Sequence, residues 1–437
     1  MKKPRVAVVG AGISGLACAY ELQKAGVTVM VFEAEETVGG RMRTRTKSDL
    51  SFDIGADHLC ELYTDMKAYI EEFGLTSEPM HFSQKYHLFK QGTVIPLSSG
   101  VSWRSRLKVL WNQRGSRQIH DFFNLSNVAA LDIQDGDSYG REHLTDEAVD
   151  YWVDSFVSTY QFHRAKEISS GVFKAMVESA RHDGRKWDLF QIIGGMSALP
   201  EAIAKRVTVK TSTPVLAVVV KDDEVFVTTK DGVEPYDAVV LATTANVSSA
   251  LLASPTNAQR AMLAATKYAS TISVAFRVPK RLLPQQFVVW VPFVESQKIS
   301  GYTNQMMKEH AFATDQDSLL CVWLHEDYAK TLMQKSDEKI FAEVKKELLR
   351  VCPHLKNGDA VQGYDLQRWP EAMPKFASGH LKRVKNFLEQ HQGENNIFLC
   401  GDYMNSLWTE GSIRGGKRTA SLIMQRFSGV DAPEARG

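Results

Sequence analysis

Residues Arg5 to Arg41, RVAVVGAGISGLACAYELQKAGVTVMVFEAEETVGGR, constrain the fold of this chain more than any other stretch. Arg5 to Val9 is apolar and β-branched and stops at a glycine, the pattern of a short buried strand. Gly10-Ala-Gly12-Ile13-Ser14-Gly15 then spells G-x-G-x-x-G. The first glycine permits a tight turn, the second lets backbone approach a pyrophosphate, and the third lets a helix press against the strand. A helix from about Gly12 to Ala25 would aim its unpaired N–H groups and positive dipole end at phosphate oxygens. Gly26 ends it, and Val27 to Phe32 reads as a second buried strand leading into Glu33 and Ala34. An acid about 20 residues past the glycine turn is placed to accept from the ribose hydroxyls of an adenosine. Strand, turn, helix, strand and acid in this order make a dinucleotide-binding βαβ unit.

The residues that follow discriminate between dinucleotides. Glu33 is followed by Gly39-Gly40-Arg41, giving E-x5-GGR. Two glycines let the chain lie against a cofactor, and the arginine adds a fork of donors for phosphate. With this pair of motifs the sequence resembles the flavin-containing amine oxidase superfamily, which includes monoamine and L-amino-acid oxidases, protoporphyrinogen oxidase and phytoene desaturases. The resemblance implies FAD at Gly10, Gly12, Ile13, Ser14, Gly15, Glu33, Ala34, Gly40 and Arg41. It also implies an α/β fold in which a Rossmann-like FAD/NAD(P)-binding domain is interleaved with an α+β substrate domain.

Composition limits the alternatives. A chain of 437 residues exceeds what one hydrophobic core usually serves. Lys and Arg total 52 against 51 Asp and Glu, so no charge excess points to nucleic acid. Five scattered cysteines fit a reducing, cytoplasmic setting and argue against a disulfide frame or a zinc site, and no metal is expected. No apolar run is long enough to span a membrane.

Further along, Ser51-Phe-Asp53-Ile-Gly55-Ala56-Asp57-His58 reads as a strand turning at Gly55. The family resemblance implies that Gly55 to His58 touch the flavin and pyrophosphate; as a bare sequence, His58 is equally a polar loop residue. Tyr63 to Phe73 reads as helix, and Lys85 to Leu97 as a hairpin. Trp103 to Phe123 reads as a helix with Trp103, Leu107, Leu110 and Trp111 on one side, either lying on a membrane surface or walling a substrate domain. Leu144 to Tyr160 and Ala165 to Arg181 read as further helices. Segment 189–250 reads as a return to the dinucleotide domain: GG-x3-LP at 194–200, strands at Val207, Thr213 and Glu224, and Asp237 to Thr244. By resemblance, Val215 meets the adenine; its alternative is plain strand core.

Segment 251–385 should be the sheet floor of the substrate domain, with strands at Thr271–Arg277, Gln286–Pro292 and Ser318–Leu324 and a helix from Ser336 to Val351. True amine oxidases usually carry a lysine on the first of these strands, which holds a water at flavin N5. Ser273 occupies that place, with Lys267 and Lys280 expected outside the strand, which favours the protoporphyrinogen oxidase and desaturase side. Arg368-Trp369, with prolines at 370 and 374 and Gly379-His380 beyond, spells RW-x4-P-x4-GH, which resembles the corresponding stretch of protoporphyrinogen oxidase and reads as a rigid loop.

The C-terminal signature is Asn396 to Cys400 as strand, the Gly401-Asp402 turn, and Glu410-Gly-Ser412-Ile413-Arg-Gly-Gly opening a helix. The resemblance implies that Asp402 accepts from the ribityl hydroxyls, that amides near Ser412 and Ile413 face flavin N1 and O2, and that Trp408 walls an aromatic cage. With Trp369 it would sandwich a flat or apolar substrate; both are otherwise core packing. Cys400 lies in the strand, so FAD is expected to be noncovalent.

The expected segments are a FAD domain at 1–77, 189–250 and 386–437 and a substrate domain at 78–188 and 251–385. The implied reaction is hydride removal from a C–H bond beside nitrogen or a conjugated system, with oxygen or another acceptor reoxidising the flavin. The substrate is expected to be a small apolar or aromatic molecule. No side chain is singled out as acid or base. Two rivals differ in class: a NAD-dependent dehydrogenase, which leaves GGR and Gly401-Asp402 unexplained, and a non-catalytic binder like the Rab GDP-dissociation inhibitors.

Overall fold

The computed structural model describes residues 3–80, 86–112, 121–182, 188–222, 224–308, 310–355 and 358–428. Its first layer is a five-stranded parallel sheet ordered Val209–Lys210, Thr28–Phe32, Arg5–Val9, Ala238–Leu241, Ile397–Leu399. Arg5–Val9 is central, and Val6, Ala7 and Val8 are wholly buried, as a parallel strand covered on both faces requires. The helix Ile13–Lys24 starts one residue later than its glycine cap suggests. It lies against the C-terminal helix Thr409–Ser428 so closely that a Cβ on Gly416 would stand 2.3 Å from the Ser14 carbonyl oxygen.

A second sheet has seven strands, ordered Gln362–Lys375, Lys267–Pro279, Asp317–Leu324, Ile299–Asn304, Val288–Trp290, Tyr86–Lys90, Thr93–Pro96. The helix Asp337–Val351 covers it with Ile340, Val344, Leu348 and Val351. Several expectations need correction here. Arg368 to Lys375 is not a loop but part of a fourteen-residue strand, Gln362–Lys375. It is an edge strand, where a proline removes no ladder hydrogen bond. Its register against Lys267–Pro279 slips between Ala269 and Thr271, and Ser270 Oγ donates to the Pro370 carbonyl at 2.7 Å across the irregularity. Lys267, expected outside its strand, is the first residue of it. Ile299–Asn304 is a continuous strand that the sequence does not signal, because Ser300, Gly301, Thr303 and Asn304 leave no apolar alternation.

The helix expected from Trp103 to Phe123 is helical over Trp103–Asn112; residues 113–120 lie outside the described residues. The segment from Asp146 to Gln161 is continuous but contains a π turn at Val149–Val153. All five cysteines are buried thiols. Among the described residues, no helix is long and apolar enough to cross a membrane.

Candidate active site

The glycine turn is built as its spelling requires. Gly10 has φ +103°, and a Cβ on Gly15 would lie 2.1 Å from the Gly10 carbonyl oxygen, so neither position admits a side chain. Gly12 differs: a Cβ there would meet nothing within 4 Å. Open space above the middle glycine leaves the backbone approachable there. The first intrahelical bond is from Leu16 N to Gly12 O at 3.0 Å, so the amides of Ile13, Ser14 and Gly15 begin the helix without an intrahelical acceptor. The Ser14 hydroxyl points away from this opening, 3.0 Å from Cys400 Sγ.

Glu33 ends the second strand with one carboxylate oxygen accepting from Ala11 N at 2.7 Å and the other from Glu35 N at 3.0 Å. Segment 211–215 runs beside it: Thr213 N donates to Glu33 O at 2.8 Å and Ser212 N to Glu35 O at 2.9 Å. Val215 is buried in the cluster of Val9 and Phe32 at this edge. The GGR turn folds onto the glycine turn through Gly39 N to Ala11 O at 2.9 Å, with Gly40 at φ +55° facing Gly12.

Arg41 then joins distant parts of the chain. Its Nη1 lies 2.7 Å from Asp402 Oδ2 and donates to the Ala372 carbonyl at 2.8 Å. Ala372 lies in the slipped stretch, between Met373 opposite Ala269 and Trp369 opposite Thr271. Burial disfavours the guanidinium charge, but Asp402, with Tyr268 and Glu371, outweighs it and raises the Arg41 pKa. Gly55 is pressed under the same loop: a Cβ there would lie 2.1 Å from Arg41 O, and Ala56 N donates to that oxygen at 2.9 Å.

Asp57 and His58 continue this loop inward. Lys308 is 2 % exposed and lies 2.8 Å from both Asp53 and Asp57. Gln305 Nε2 donates to Asp57 at 2.9 Å, and Thr44 Oγ1 donates to Asp53 at 2.5 Å. Burial raises the Asp53 carboxyl despite Lys308. For Asp57, burial is outweighed by Lys308 and His58, and its pKa falls well below the carboxylate range. Burial opposes the Lys308 charge, but the two carboxylates raise its pKa further still. Nothing in the local sequence QMMKEH marks Lys308 as buried.

His58 turns its ring to Tyr160, 5.9 Å between centroids, and Phe287, 5.6 Å. Tyr160 continues to Trp290 at 5.9 Å and Phe156 at 5.0 Å, and Phe156 to Trp408 at 6.4 Å. Trp408 also meets Phe122 at 4.4 Å. These rings form one aromatic wall from the Gly55 loop to the start of the C-terminal helix. Sequence reading found Trp408 and His58 but not Phe122, Phe156, Tyr160 or Trp290, which come from separate elements with no shared spacing.

Two expected placements change. Trp369 does not join Trp408: its indole N–H donates to Ile54 O at 2.7 Å, and its ring packs in a cluster with Leu50, Phe52 and Ile54. Ser412 N is already committed to Trp408 O at 3.0 Å, so the orphan amides of this helix are those of Thr409, Glu410 and Gly411, one turn earlier. Ile413 is wholly buried. Glu410, also wholly buried, accepts from Asp65 N and Met66 N at 2.9 Å each and caps the helix Thr64–Glu72.

A glycine turn of dinucleotide-binding form thus stands in one structure with a continuous wall of aromatic rings. The model describing flavin containing amine oxidoreductases matches residues 13–424, and the chain belongs to that family. A flavin carried on a dinucleotide fold is FAD, so the protein is a flavoprotein oxidoreductase. Protoporphyrinogen oxidase 2 of Arabidopsis thaliana is 32% identical over 170 residues, covering 35% of this chain. That match spans 32% of the relative's length. L-amino-acid oxidase of Sistrurus catenatus edwardsii is 25% identical, covering 97% of this chain and 87% of its own. Among solved structures, a putative protoporphyrinogen oxidase from Exiguobacterium sp. 255-15 superposes with a TM-score of 0.77 at 18% identity, covering 98% of this chain and 100% of that one. That likeness shows the fold.

Proposed function

We propose that this chain is a noncovalent FAD enzyme that takes hydride from a C–H bond beside nitrogen or a conjugated system of a small apolar or aromatic substrate. The observation that carries the reading is the meeting of Arg41, from the turn folded onto the glycine turn, with Asp402, which brings both terminal signatures together. Bound there, FAD supplies the two-electron chemistry. The chain's residues bind and orient. The Ile13–Gly15 amides and Arg41 hold the pyrophosphate, Glu33 the ribose, and the 212–215 segment the adenine. Asp402 would accept from the ribityl chain, and the amides opening the Thr409–Ser428 helix would favour negative charge on a bound flavin. The five-stranded sheet is the FAD domain and the seven-stranded sheet, with helices from 121–182, the substrate domain; the chain passes between them at about residues 78, 189, 251 and 386.

The aromatic wall from His58 to Trp408 favours a flat or apolar substrate. Ser273, buried between Trp323 and Gln367 in register, stands where an amine oxidase would hold its lysine. Both features favour protoporphyrinogen-oxidase or desaturase chemistry over simple amine oxidation, with oxygen or another acceptor reoxidising the flavin. The test is flavin bleaching under anaerobic conditions, followed by peroxide release in air, across amines, amino acids, porphyrinogens and carotenoid precursors. Bleaching by a porphyrinogen or polyene alone supports the reading; bleaching by simple amines alone overturns it.

A further inference from the structure

The helix Trp103–Asn112 is mounted inside out. Its four largest apolar residues face solvent, while Val109 packs on the core: Trp103 is 65 % exposed, Leu107 55 %, Leu110 56 % and Trp111 72 %. At about 100° per residue these four fall within an arc of roughly 100°. Its polar side faces the protein. Ser105 is buried and donates to Glu147 at 2.8 Å, and Lys108 Nζ donates to the Leu144 carbonyl at 2.6 Å. Glu147 also accepts from Ser102 N at 2.9 Å, fixing the helix start to the body. Arg104 and Arg106 flank the apolar arc, one on each side, and the helix holds no acidic residue.

We propose that this face docks on an anionic phospholipid surface. Four large apolar side chains rimmed by cations and free of carboxylates complement headgroup phosphates above an acyl boundary. Tryptophan favours that boundary because its ring is apolar while its N–H stays wet. The overall charge is only +1, so attraction comes from these local cations and not from the molecule as a whole. The proposal stands apart from the substrate reading.

The test is cosedimentation of the holoprotein with mixed phosphatidylcholine–phosphatidylserine vesicles and with pure phosphatidylcholine vesicles. Preferential, salt-sensitive partition to the mixed vesicles is expected. Leu107→Glu with Leu110→Glu should lower it at least about tenfold. Arg104→Ala with Arg106→Ala should lower it roughly fivefold per cation removed. These positions are exposed, so both variants should keep the wild-type melting midpoint. A blue shift in tryptophan emission on vesicle addition should shrink in Trp103→Phe with Trp111→Phe. Absence of partition, equal partition to both vesicles, or unchanged partition of the variants would overturn the proposal. So would self-association in sedimentation velocity that Leu107→Glu with Leu110→Glu abolishes while vesicles bind neither protein, since the face would then belong to a second copy.

Discussion

Arg41 and Asp402, from opposite ends of the chain, form an ion pair of 2.7 Å, and the turn carrying Arg41 folds onto the glycine turn. Each has the chemistry for a different half of the cofactor: a guanidinium for phosphate and a carboxylate for ribityl hydroxyls. Charge-assisted hydrogen bonds of this kind contribute about 1.5–3 kcal/mol. Arg41→Met and Asp402→Ala should therefore each weaken FAD binding by roughly 10- to 100-fold, read by fluorescence titration of the apoprotein. Unchanged affinity in both would separate the pair from the cofactor.

The glycine turn offers a sharper separation of folding from binding. A methyl on Gly12 enters open space, whereas one on Gly15 meets backbone at 2.1 Å. Gly12→Ala should leave the apoprotein melting midpoint nearly unchanged and impair FAD uptake. Gly15→Ala should lower the midpoint itself. Calorimetry with and without FAD distinguishes the two, and equal loss of stability in both would contradict the open approach at Gly12.

Lys308 neutralises two buried carboxylates. Removing one member of such a cluster leaves charge in a poorly solvated place and typically costs about 3–5 kcal/mol. Lys308→Met should be destabilised to that extent in urea at neutral pH. The deficit should narrow at mildly acidic pH, because burial already raises Asp53 towards its neutral form. A deficit independent of pH would mean that lost packing dominates.

Three buried histidines set a pH dependence. Burial lowers His163 to about 4, His325 to about 3 and His380 to about 4. A group with its folded pKa below its unfolded value binds protons preferentially in the unfolded chain. Stability should therefore be full above about pH 6.5 and fall as pH drops towards 4, by an amount of order 2–3 kcal/mol per group. Urea midpoints across that range should show the decline, and His163→Gln should make it shallower by about one third. A flat wild-type profile would contradict the burial of these rings as neutral groups.

Legibility in the sequence followed the range of the interactions. Gly10 to Glu33 was readable because strand, turn, helix and strand are each specified locally. The edge strand Gln362–Lys375 was hidden by Pro370 and Pro374, which local rules assign to loops and a sheet edge tolerates. Trp369 reads equally as a substrate wall or as core packing, because its bond to Ile54 depends on a partner 315 positions away that no local pattern identifies. The helix at Thr409 begins before its motif, so the open amides precede Ser412 by a turn. Lys308 and most of the aromatic wall were invisible for one reason: their role exists only once separate strands and helices converge.

The central claim is that both terminal signatures grip one FAD molecule. The most direct measurement is the flavin content and spectrum of the purified protein after FAD reconstitution and gel filtration. The account predicts a yellow protein with one equivalent of FAD, released intact by denaturation and retained poorly when either Arg41 or Asp402 is replaced. A folded protein that stays colourless after reconstitution, or flavin that remains attached to denatured chain, would contradict it.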